Sequence, residues 1–500
     1  MSAILAIDQG TTGSTALVLS RAGQILARAY AEFTQYYPRP GWVEHDAEEI
    51  WRVSRHVMAV ALADSGLKEG ELSAIGITNQ RETTVIWERK TGKPVCRAIV
   101  WQSRQSGAIC EQMRADGHEP LFRRRTGLLM DPYFSGTKIR WILNQEPGLQ
   151  QRAADGELAF GTIDSWLLWN LTGGTAPAGA IHATEPTNAS RTLLYNIHEH
   201  RWDPELCRLL NVPAAMLPVV HPSSGVFGET VALNGIPAGV PVAGMAGDQQ
   251  AALYGQGCWR AGQAKNTYGT GCFLLMNMGA EPPVSHHGLL TTICCDAFGK
   301  PAYALEGSVF IGGAVIQWLR DELGIISTAG ESEALALQLN GNDGVYFVPA
   351  FTGLGAPYWD MHARGALLGL TRGTGRAHIV RAALESIAYQ TRDIVEAMNR
   401  DSGVELSELR VDGGASNNNF LMQFQADMLG VPVDRPELVE TTAAGSAFLA
   451  GLAVGLWSDP DELQGARKSE RKFQPEMAAS QRDELYAEWQ CAVSRIRSTN

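Results

Sequence analysis

The segment DQGTTGST, at residues 8–15, combines a carboxylate, a glycine and two hydroxyls directly after an apolar run. The carboxylate of Asp8 at the end of a strand predicts a site for hydrated Mg²⁺. The turn amides, together with the hydroxyls of Thr11 and Thr12, predict hydrogen bonds to phosphate oxygens. Asp and Gly are also common in ordinary polar hairpins, so this segment alone leaves both interpretations open.

A second carboxylate stands in MAGDQQAAL, at residues 245–253. Asp248 and Gln249 lie between an apolar strand pattern and a helical pattern, a position that predicts a general base at a cleft. An Asp at such a junction more often caps the free amides of a helix. Both interpretations stay open on this segment alone.

Two glycine-rich turns follow in the second half of the chain. In NTYGTGCF, at 266–273, Thr270 lies between two glycines and predicts a second phosphate contact. In VDGGASNN, at 411–418, Gly413 and Gly414 would let a flat ligand such as adenosine approach the backbone. Each pattern is also typical of an ordinary hairpin or of a strand-to-helix turn capped by a serine or asparagine.

The elements that must position these turns alternate between strand and helix patterns, which predicts an α/β fold. Strands are predicted at 3–7, 15–19, 72–78, 83–87, 240–247, 344–350 and 406–412, and helices at 50–63, 309–323 and 378–398. A similar strand–turn–strand unit recurs about half a chain later, so we expect two domains of related design, 1–250 and 251–500, facing one cleft.

Two segments near the end of the chain carry their own predictions. Residues 443–457 are apolar but shorter than the ~20 residues of a membrane-spanning helix, so Gly451 and Gly455 predict close packing inside a core. The charged last thirty residues predict a solvated helix. No low-complexity linker separates the two halves, so we expect a hinge of packed elements.

The order of the four turns is more informative than any one of them. A phosphate turn, a carboxylate turn, a second phosphate turn and a double-glycine turn resemble the ATPase design shared by sugar kinases, actin and the Hsp70 chaperones. This resemblance implies two ribonuclease H-like, actin-like ATPase domains around a central cleft, with ATP as the nucleotide and Mg²⁺ as the metal.

Two long segments narrow the resemblance to the FGGY carbohydrate kinases. YFSGTKIRWILNQ at 133–145 and GALLGLTRGTGRAHIVRAALE at 365–385 are similar to the signature patterns of that family. ITNQRETTVIW, IVWQSR, DPYFSGTK, AGDQQAAL, KNTYGTGCF and FVPAFTGLGAPYWD resemble its members that act on glycerol. The resemblance spans residues 4–457 and implies transfer of the ATP γ-phosphate to a terminal hydroxyl of glycerol. The products would be sn-glycerol 3-phosphate and ADP, in glycerol catabolism.

Carried over by position, the resemblance implies a role for each residue of the site. The glycerol hydroxyls would be bound by Arg81, Glu82, Tyr133, Asp248 and Gln249, and the carbon chain would pack on Trp101 and Phe273. The nucleotide would contact Thr11, Thr12, Thr270, Gly313, Gln317, Gly414 and Asn418. Asp248 would accept the proton in a direct, in-line transfer, with the metal near Asp8. Taken singly, Arg81 and Glu82 also fit a solvated surface pair, and Tyr133 and Trp101 fit core aromatics.

Two positions differ from the family pattern, and one segment bears on regulation. Thr15 stands where a basic residue is usual, which removes one charge from the phosphate turn. Glu185 stands where Asp is usual, and its role cannot be assigned from the sequence. The segment 232–239 lacks Lys and Arg, so the sugar-bisphosphate inhibition known for some relatives is not predicted.

Two rival functions stay open at this point. Another FGGY kinase would act on a four- or five-carbon polyol or ketose, such as erythritol or xylulose, and would need a roomier pocket. A non-enzymatic actin- or Hsp70-like ATPase would leave both long signatures unexplained. A comparison of turnover with glycerol, erythritol and xylulose separates the first rival, and glycerol-dependent ADP release separates the second.

Composition and charge bound the remaining possibilities. The 41 Lys and Arg against 53 Asp and Glu give a formal net charge of −12, which disfavours nucleic acid and anionic membranes as partners. Eight cysteines without a CxxC pair predict reduced packing residues. The chain starts without a basic leader, so we expect a cytoplasmic protein without a membrane span. The family resemblance implies a homodimer or homotetramer.

Overall fold

The computed structural model describes residues 2–68, 70–176, 179–438 and 440–498. The first half contains strands β1 (Ala3–Gln9), β2 (Gly13–Ser20), β3 (Ile25–Glu32), β4 (Gln35–Tyr36), β5 (Glu44–His45), β6 (Leu72–Asn79), β7 (Val85–Glu88), β8 (Ala98–Ile99), β9 (Leu158–Gly161), β10 (Ala183–Thr184), β11 (Tyr195–Asn196), β12 (Arg201–Trp202), β13 (Val219–Val220), β14 (Ser224–Glu229) and β15 (Pro241–Gly247). Its helices are α1 (Ala47–Asp64), α2 (Gly107–Ala115), α3 (Glu119–Thr126), α4 (Ser135–Leu143), α5 (Leu149–Ala154), α6 (Ile163–Leu171), α7 (Pro186–Ala189), α8 (Pro204–Leu209) and α9 (Asp248–Gly255).

The second half is built in the same way. Its strands are β16 (Gln263–Tyr268), β17 (Cys272–Gly279), β18 (Leu290–Cys295), β19 (Pro301–Val309), β20 (Tyr346–Val348), β21 (Ala366–Leu368), β22 (Glu408–Asp412), β23 (Val433–Pro436) and β24 (Ser469–Phe473). Its helices are α10 (Ala314–Asp321), α11 (Glu331–Ala336), α12 (Arg376–Ser402), α13 (Asn419–Leu429), α14 (Thr441–Ala453), α15 (Pro460–Ala466) and α16 (Ala479–Ser494). These bounds agree with the predicted strands and helices to within a few residues, except at 309–323.

The first sheet has the strand order β14-β15-β6-β1-β2-β3. Strand β1 pairs antiparallel with β2 and parallel with β6, and β15 runs parallel to β6. In this register Gln9 and Gly247 both lie beside Asn79. Three parallel strands therefore end together at one edge, where the predicted phosphate turn and Asp248 begin.

The second sheet repeats this plan in the order β18-β19-β17-β16-β22-β23-β24. Strand β16 pairs antiparallel with β17 and parallel with β22, and Thr267 lies beside Asp412. The second phosphate turn and the double-glycine turn thus leave the sheet at the same edge. The duplicated topology confirms the expectation of two ribonuclease H-like domains around a cleft.

Helix α14 belongs to the second half by sequence but packs on the first sheet. A Cβ on Gly76 would lie 2.4 Å from the Ser446 carbonyl oxygen, and one on Gly244 would lie 2.3 Å from the Ala450 nitrogen. Glycines are required where a helix backbone comes this close to a sheet. The predicted close packing is confirmed for Gly451, where a Cβ would lie 2.0 Å from the ring of Trp457, but it is wrong for Gly455, which is exposed after the end of α14 and has no atom within 4 Å of a Cβ position.

The predicted terminal helix is present as α16, but the prediction that it is solvated is wrong for one of its faces. Trp489 is fully buried, its ring stacks on that of Tyr389 at 5.2 Å, and its Nε1 donates to Asp393 Oδ2 at 2.9 Å. A narrow apolar stripe of α16, which lies among charged residues in the sequence, packs on α12.

No helix within the described ranges is long and apolar enough to cross a membrane. The eight cysteines are all free, and six are buried.

Candidate active site

Arg81 is the centre of the predicted polyol site. Only 2% of it is exposed, and Glu82 is 1% exposed, so the two are not a solvated surface pair. The Nε of Arg81 lies 3.2 Å from Asp248 Oδ1, and its Nη2 donates to the Tyr133 hydroxyl at 3.4 Å. Two of the predicted hydroxyl-binding side chains, Asp248 and Tyr133, therefore meet at the guanidinium of a third, Arg81.

Glu82 sits in a backbone conformation that side chains rarely adopt, with φ at +61°. Its carbonyl accepts hydrogen bonds from Ser135 Oγ at 3.0 Å and from Lys138 Nζ at 3.3 Å. Burial lowers the pKa of Lys138 to about 7, although nearby acidic groups oppose that shift. Strain of this kind persists only where surrounding contacts hold it, and it is common at functional sites.

Asp248 is the first residue of α9, and Gly247 occupies the cap position. The Asp248 side chain is 28% exposed, and its Oδ1 accepts the Gln249 amide at 2.7 Å. Burial raises the pKa of Asp248, whereas Arg81 and Lys265 lower it. The carboxylate therefore does not serve as the helix cap, and part of it faces the cleft.

Glu306 links the second half of the chain to this site. Its carboxylate accepts from Arg81 Nη1 at 2.6 Å, from Arg81 Nη2 at 3.0 Å and from Arg191 Nη2 at 3.2 Å. The Nε of Arg191 donates to Glu82 Oε1 at 2.6 Å. Burial raises the pKa of Glu306, but the two guanidiniums outweigh it and hold that pKa at about 2. Two carboxylates and two guanidiniums thus form one buried network.

Three aromatic rings line the predicted polyol site. The Trp101 ring lies 5.6 Å from that of Tyr133 and 6.4 Å from that of Phe273, both edge-on. Trp101 Nε1 also donates to Thr11 Oγ1 at 2.8 Å. The indole therefore joins the predicted polyol site to the predicted phosphate turn, a link that separate motifs do not reveal.

Gln249 contacts a lysine that the motifs did not single out. Lys265 Nζ donates to Gln249 Oε1 and, at 2.8 Å, to Thr267 Oγ1. Burial lowers the pKa of Lys265 to about 8, and Asp412 and Asp248 oppose that shift. A buried ammonium between the two strand edges supplies positive charge where phosphate is expected.

The first phosphate turn holds Asp8 at the end of β1. Burial raises the pKa of Asp8 to about 8, with further increases from the charges of Asp248 and Glu440. None of the described side chains donates a hydrogen bond to this carboxylate, so it is available to a cation. Thr15 is its cross-strand partner and is half-buried.

The donor set fits Mg²⁺ rather than a protein-caged metal. No group of three His, Cys, Asp or Glu side chains within the described ranges could hold an ion. Magnesium is usually bound through one or two carboxylates together with substrate phosphates and water. Asp8 with a bound nucleotide is such a set.

The second phosphate turn packs on the residues before α10. The Gly313 amide donates to the Gly269 carbonyl at 2.8 Å, and the Gly312 amide to the Thr270 carbonyl at 2.8 Å. A Cβ on Gly313 would lie 2.8 Å from that Gly269 oxygen. The predicted nucleotide residues Thr270 and Gly313 are therefore brought together.

The helix prediction at 309–323 is wrong in its first five residues. Val309 ends β19, and α10 begins at Ala314 with Gly313 as its cap. The Gln317 amide still donates to the Gly313 carbonyl at 3.2 Å, so the two remain one turn apart. The apolar run continued from a strand into a helix, and periodicity alone did not mark the junction.

The double-glycine turn completes the nucleotide side. Gly413 has φ at +85°, and a Cβ there would lie 2.5 Å from the Tyr268 carbonyl oxygen, so only glycine fits. Gly414 faces open space. Asn418 caps α13 by accepting the Leu421 amide at 2.9 Å, and its Nδ2 donates to Ser332 at 3.2 Å. Asn418 therefore has a capping role beside any nucleotide contact.

Glu185, unassigned from the sequence, caps α7. Its carboxylate accepts from the amides of Thr187 and Asn188 at 2.8 and 2.6 Å and from Ser223 Oγ at 2.6 Å. Burial raises the pKa of Glu185 to about 7, although these hydrogen bonds lower it. The local signal was present: an acidic residue before Pro186 is typical of a helix start.

Sequence reasoning missed Arg191, Lys265 and Glu306. Glu306 had the clearest signal, since it is an acidic residue inside the apolar strand β19, and such residues are almost never fully buried unless paired. Lys265 is the first residue of the motif KNTYGTGCF, but the motif assigned no role to it. Arg191 carried no signal, because only the tertiary structure brings it to Glu82.

Comparisons with known proteins agree with this geometry. The models of the FGGY family of carbohydrate kinases match residues 3–255 with the N-terminal domain and 264–454 with the C-terminal domain. The chain is 58% identical to the glycerol kinase of Desulfitobacterium hafniense over 495 residues, covering 99% of each chain. It is 58% identical to the glycerol kinase of Shewanella amazonensis over 496 residues, again covering 99% of each.

Solved structures share the fold over the full length. Xylulose kinase from Lactobacillus acidophilus has the same fold, with a TM-score of 0.89 at 21% identity, covering 99% of this chain and 98% of that one. Plasmodium falciparum glycerol kinase with ADP has a TM-score of 0.94 at 36% identity, covering 100% of this chain and 99% of that one. This chain therefore belongs to the FGGY family of carbohydrate kinases.

Proposed function

We infer that this chain transfers the γ-phosphate of ATP to a terminal hydroxyl of glycerol, giving sn-glycerol 3-phosphate and ADP. The observation that carries this inference is the part-exposed Asp248 carboxylate, 3.2 Å from the buried Arg81 guanidinium and beside a phosphate-type turn. The full-length identity of 58% to proteins named glycerol kinase supports the choice of substrate.

Small polyols have little apolar area, so the site must select them by directed hydrogen bonds. We assign the glycerol hydroxyls to Arg81, Glu82, Tyr133, Asp248 and Gln249, and the carbon chain to Trp101 and Phe273. The buried network around Arg81 supports this assignment, because a ligand that lacks a hydroxyl would leave desolvated groups unpaired.

Asp248 is the proposed general base. As the terminal oxygen of glycerol approaches the γ-phosphorus in line, the carboxylate accepts the hydroxyl proton. The bond from the γ-phosphorus to the bridging oxygen breaks, and ADP leaves without a phospho-enzyme. Closure of the two domains would exclude the water that otherwise competes for the phosphoryl group.

ATP is the proposed phosphate donor, bound by Thr11, Thr12, Thr270, Gly313, Gln317, Gly414 and Asn418. The common strand edges and the close packing of Gly269 on Gly313 support one continuous nucleotide site. Asp8 is the proposed Mg²⁺ ligand, and the ion would neutralise charge on the phosphate oxygens. The buried Lys265 adds a fixed positive charge to the same side.

The test is Asp248→Asn, with Asp64→Asn at the exposed end of α1 as the matched control. The asparagine keeps the shape but cannot accept the proton, so we expect kcat to fall at least about 100-fold. The Kd for ATP should stay within about twofold, measured by calorimetry. Near-normal turnover of Asp248→Asn would contradict the base assignment.

The two rival functions are not favoured. A four- or five-carbon substrate would need a roomier pocket than the three rings of Trp101, Tyr133 and Phe273 imply, which lie 5.6 and 6.4 Å apart. The likeness to xylulose kinase at 21% identity shows the fold alone. Turnover on glycerol, erythritol and xylulose, followed by ADP release, tests this directly. ATP hydrolysis indifferent to glycerol would instead support an actin- or Hsp70-like ATPase.

Three further assignments complete the proposal. Domains at 1–250 and 251–500 are supported by the two separate main sheets, one formed by strands from β1 to β15 and the other by strands from β16 to β24, although residue 250 itself lies inside α9. A homodimer or homotetramer and a cytoplasmic location are supported by the family resemblance. Light scattering after size-exclusion chromatography tests the assembly.

A further inference from the structure

The four-residue helix α7 touches both strand ends that carry the polyol residues. Asn188 and Asn79 exchange side-chain hydrogen bonds, each Nδ2 donating to the other Oδ1 at 3.0 Å. The Gly247 amide donates to Thr187 Oγ1 at 2.8 Å. Asn79 and Gly247 are direct neighbours at the ends of β6 and β15, and Asp248 follows immediately.

The Thr187 hydroxyl has a fixed role in this arrangement. Its oxygen accepts the Gly247 amide, so its own hydrogen points to Glu185 Oε1 at 2.6 Å. Glu185 is held in turn by Ser223 Oγ at 2.6 Å. All three side chains are buried, so water does not replace any of these bonds.

Residue 247 needs such an anchor because it must be glycine. A Cβ there would lie 2.6 Å from Arg81 Cγ, so the stem of Arg81 excludes any side chain. Glycine leaves the backbone freer than any other residue, directly before the proposed base. The hydrogen bond from the Gly247 amide is a specific contact that limits this freedom.

We propose that Thr187 is a positioning residue that fixes the backbone in front of Asp248, and thereby the direction of its carboxylate. The proposal rests on the function inferred above. Displacing a catalytic group by about 1 Å can cost on the order of 100-fold in rate. Binding of ATP depends on other elements and is left unchanged.

The test compares Thr187→Val with Thr187→Ser, both in the full-length chain. Valine keeps the volume and removes the hydroxyl, whereas serine keeps the hydroxyl. Thr172→Val is the matched control, since Thr172 Oγ1 accepts the Ile181 amide at 2.9 Å and donates to the Leu168 carbonyl at 2.8 Å, outside the site. Thermal unfolding, kcat and the KM values for glycerol and ATP are measured for each.

We expect Thr187→Val to lose at least about tenfold in kcat with the KM for ATP within about twofold. Thr187→Ser should recover kcat to within about threefold, and Thr172→Val should lower stability without changing kcat. If Thr187→Val does not fold, Thr187→Ala replaces it with the same expectation.

Two outcomes overturn the proposal, and they are distinguishable. A folded Thr187→Val or Thr187→Ala that keeps kcat within about twofold, in a chain that phosphorylates glycerol, refutes the positioning role alone. An unchanged chain that phosphorylates no glycerol refutes the proposed function, and the positioning role falls with it.

Discussion

Replacing Glu306 by glutamine tests the buried network that joins the two halves of the chain. The Glu306 carboxylate makes hydrogen bonds of 2.6 and 3.0 Å to Arg81 and 3.2 Å to Arg191, and it is 1% exposed. Its pKa falls from 4.5 to about 2, because the two guanidiniums outweigh burial. At about 1.4 kcal/mol per pKa unit, that shift corresponds to ~3 kcal/mol of stability.

A second estimate of the stability lost in Glu306→Gln comes from the cost of leaving a buried charge unpaired. Removing one partner of a buried ion pair costs about 3–5 kcal/mol, because the remaining charge stays desolvated. Glutamine still accepts one hydrogen bond, so the lower end, ~3 kcal/mol, applies. At roughly 2–4 °C per kcal/mol for an unfolding unit of up to about 250 residues, the size of each half of this chain, the unfolding midpoint of Glu306→Gln should fall by about 6–12 °C.

Scanning calorimetry at pH 7.5 is the assay. Asp321→Asn is the control, since Asp321 is exposed and, among the residues that the structure describes, pairs only with its neighbour Arg320, so its midpoint should not move. The KM for glycerol should rise for Glu306→Gln because Arg81 loses a bidentate partner. A midpoint within about 2 °C of that of the unchanged chain would contradict a contribution of ~3 kcal/mol from Glu306.

The contribution of Glu306 to the stability of the folded chain should depend on pH. The folded-state pKa of Glu306 lies below its unfolded value, so its stabilisation is complete above about pH 4.5 and is lost as the pH falls to about 2. The difference in midpoint between the unchanged chain and Glu306→Gln should therefore be constant near neutral pH. It should shrink below about pH 4.5, and a difference that grows on acidification would contradict this sign.

Three substitutions test other contacts. Thr15→Arg restores a charge beside the phosphates, and about 1 kcal/mol of attraction should lower the KM for ATP roughly fivefold in steady-state assays; an unchanged KM would count against it. Gly247→Ala places a Cβ 2.6 Å from Arg81 Cγ and should raise the KM for glycerol at least about tenfold, with the KM for ATP as the internal control. Trp101→Phe removes the 2.8 Å bond to Thr11 and should reduce kcat/KM for glycerol about fivefold, whereas full retention would show that the bond is dispensable.

The local features of this protein could be predicted from the pattern of its residues. Asp8 and Asp248 each follow an apolar run, so their positions at strand ends were readable from the pattern. The repeated strand–turn–strand unit predicted two domains that face one cleft, whereas the parallel pairing that brings both strand ends to one edge was seen only in the structure. Periodicity failed at Val309, where a strand runs into α10 without a polar break, and at Trp489, whose narrow apolar stripe was hidden among charges.

The distant side chains that complete the site could not be predicted, because they come together only in the folded chain. Glu306 lies 225 positions from Arg81 along the chain, and its carboxylate gains a role only when the fold brings β19 to the guanidinium of Arg81. Thr187 reaches Gly247 across 60 positions through a helix too short to predict. These contacts are strong because they are buried away from water. Burial of a group depends on every element packed around it, so it cannot be predicted before the whole chain is folded.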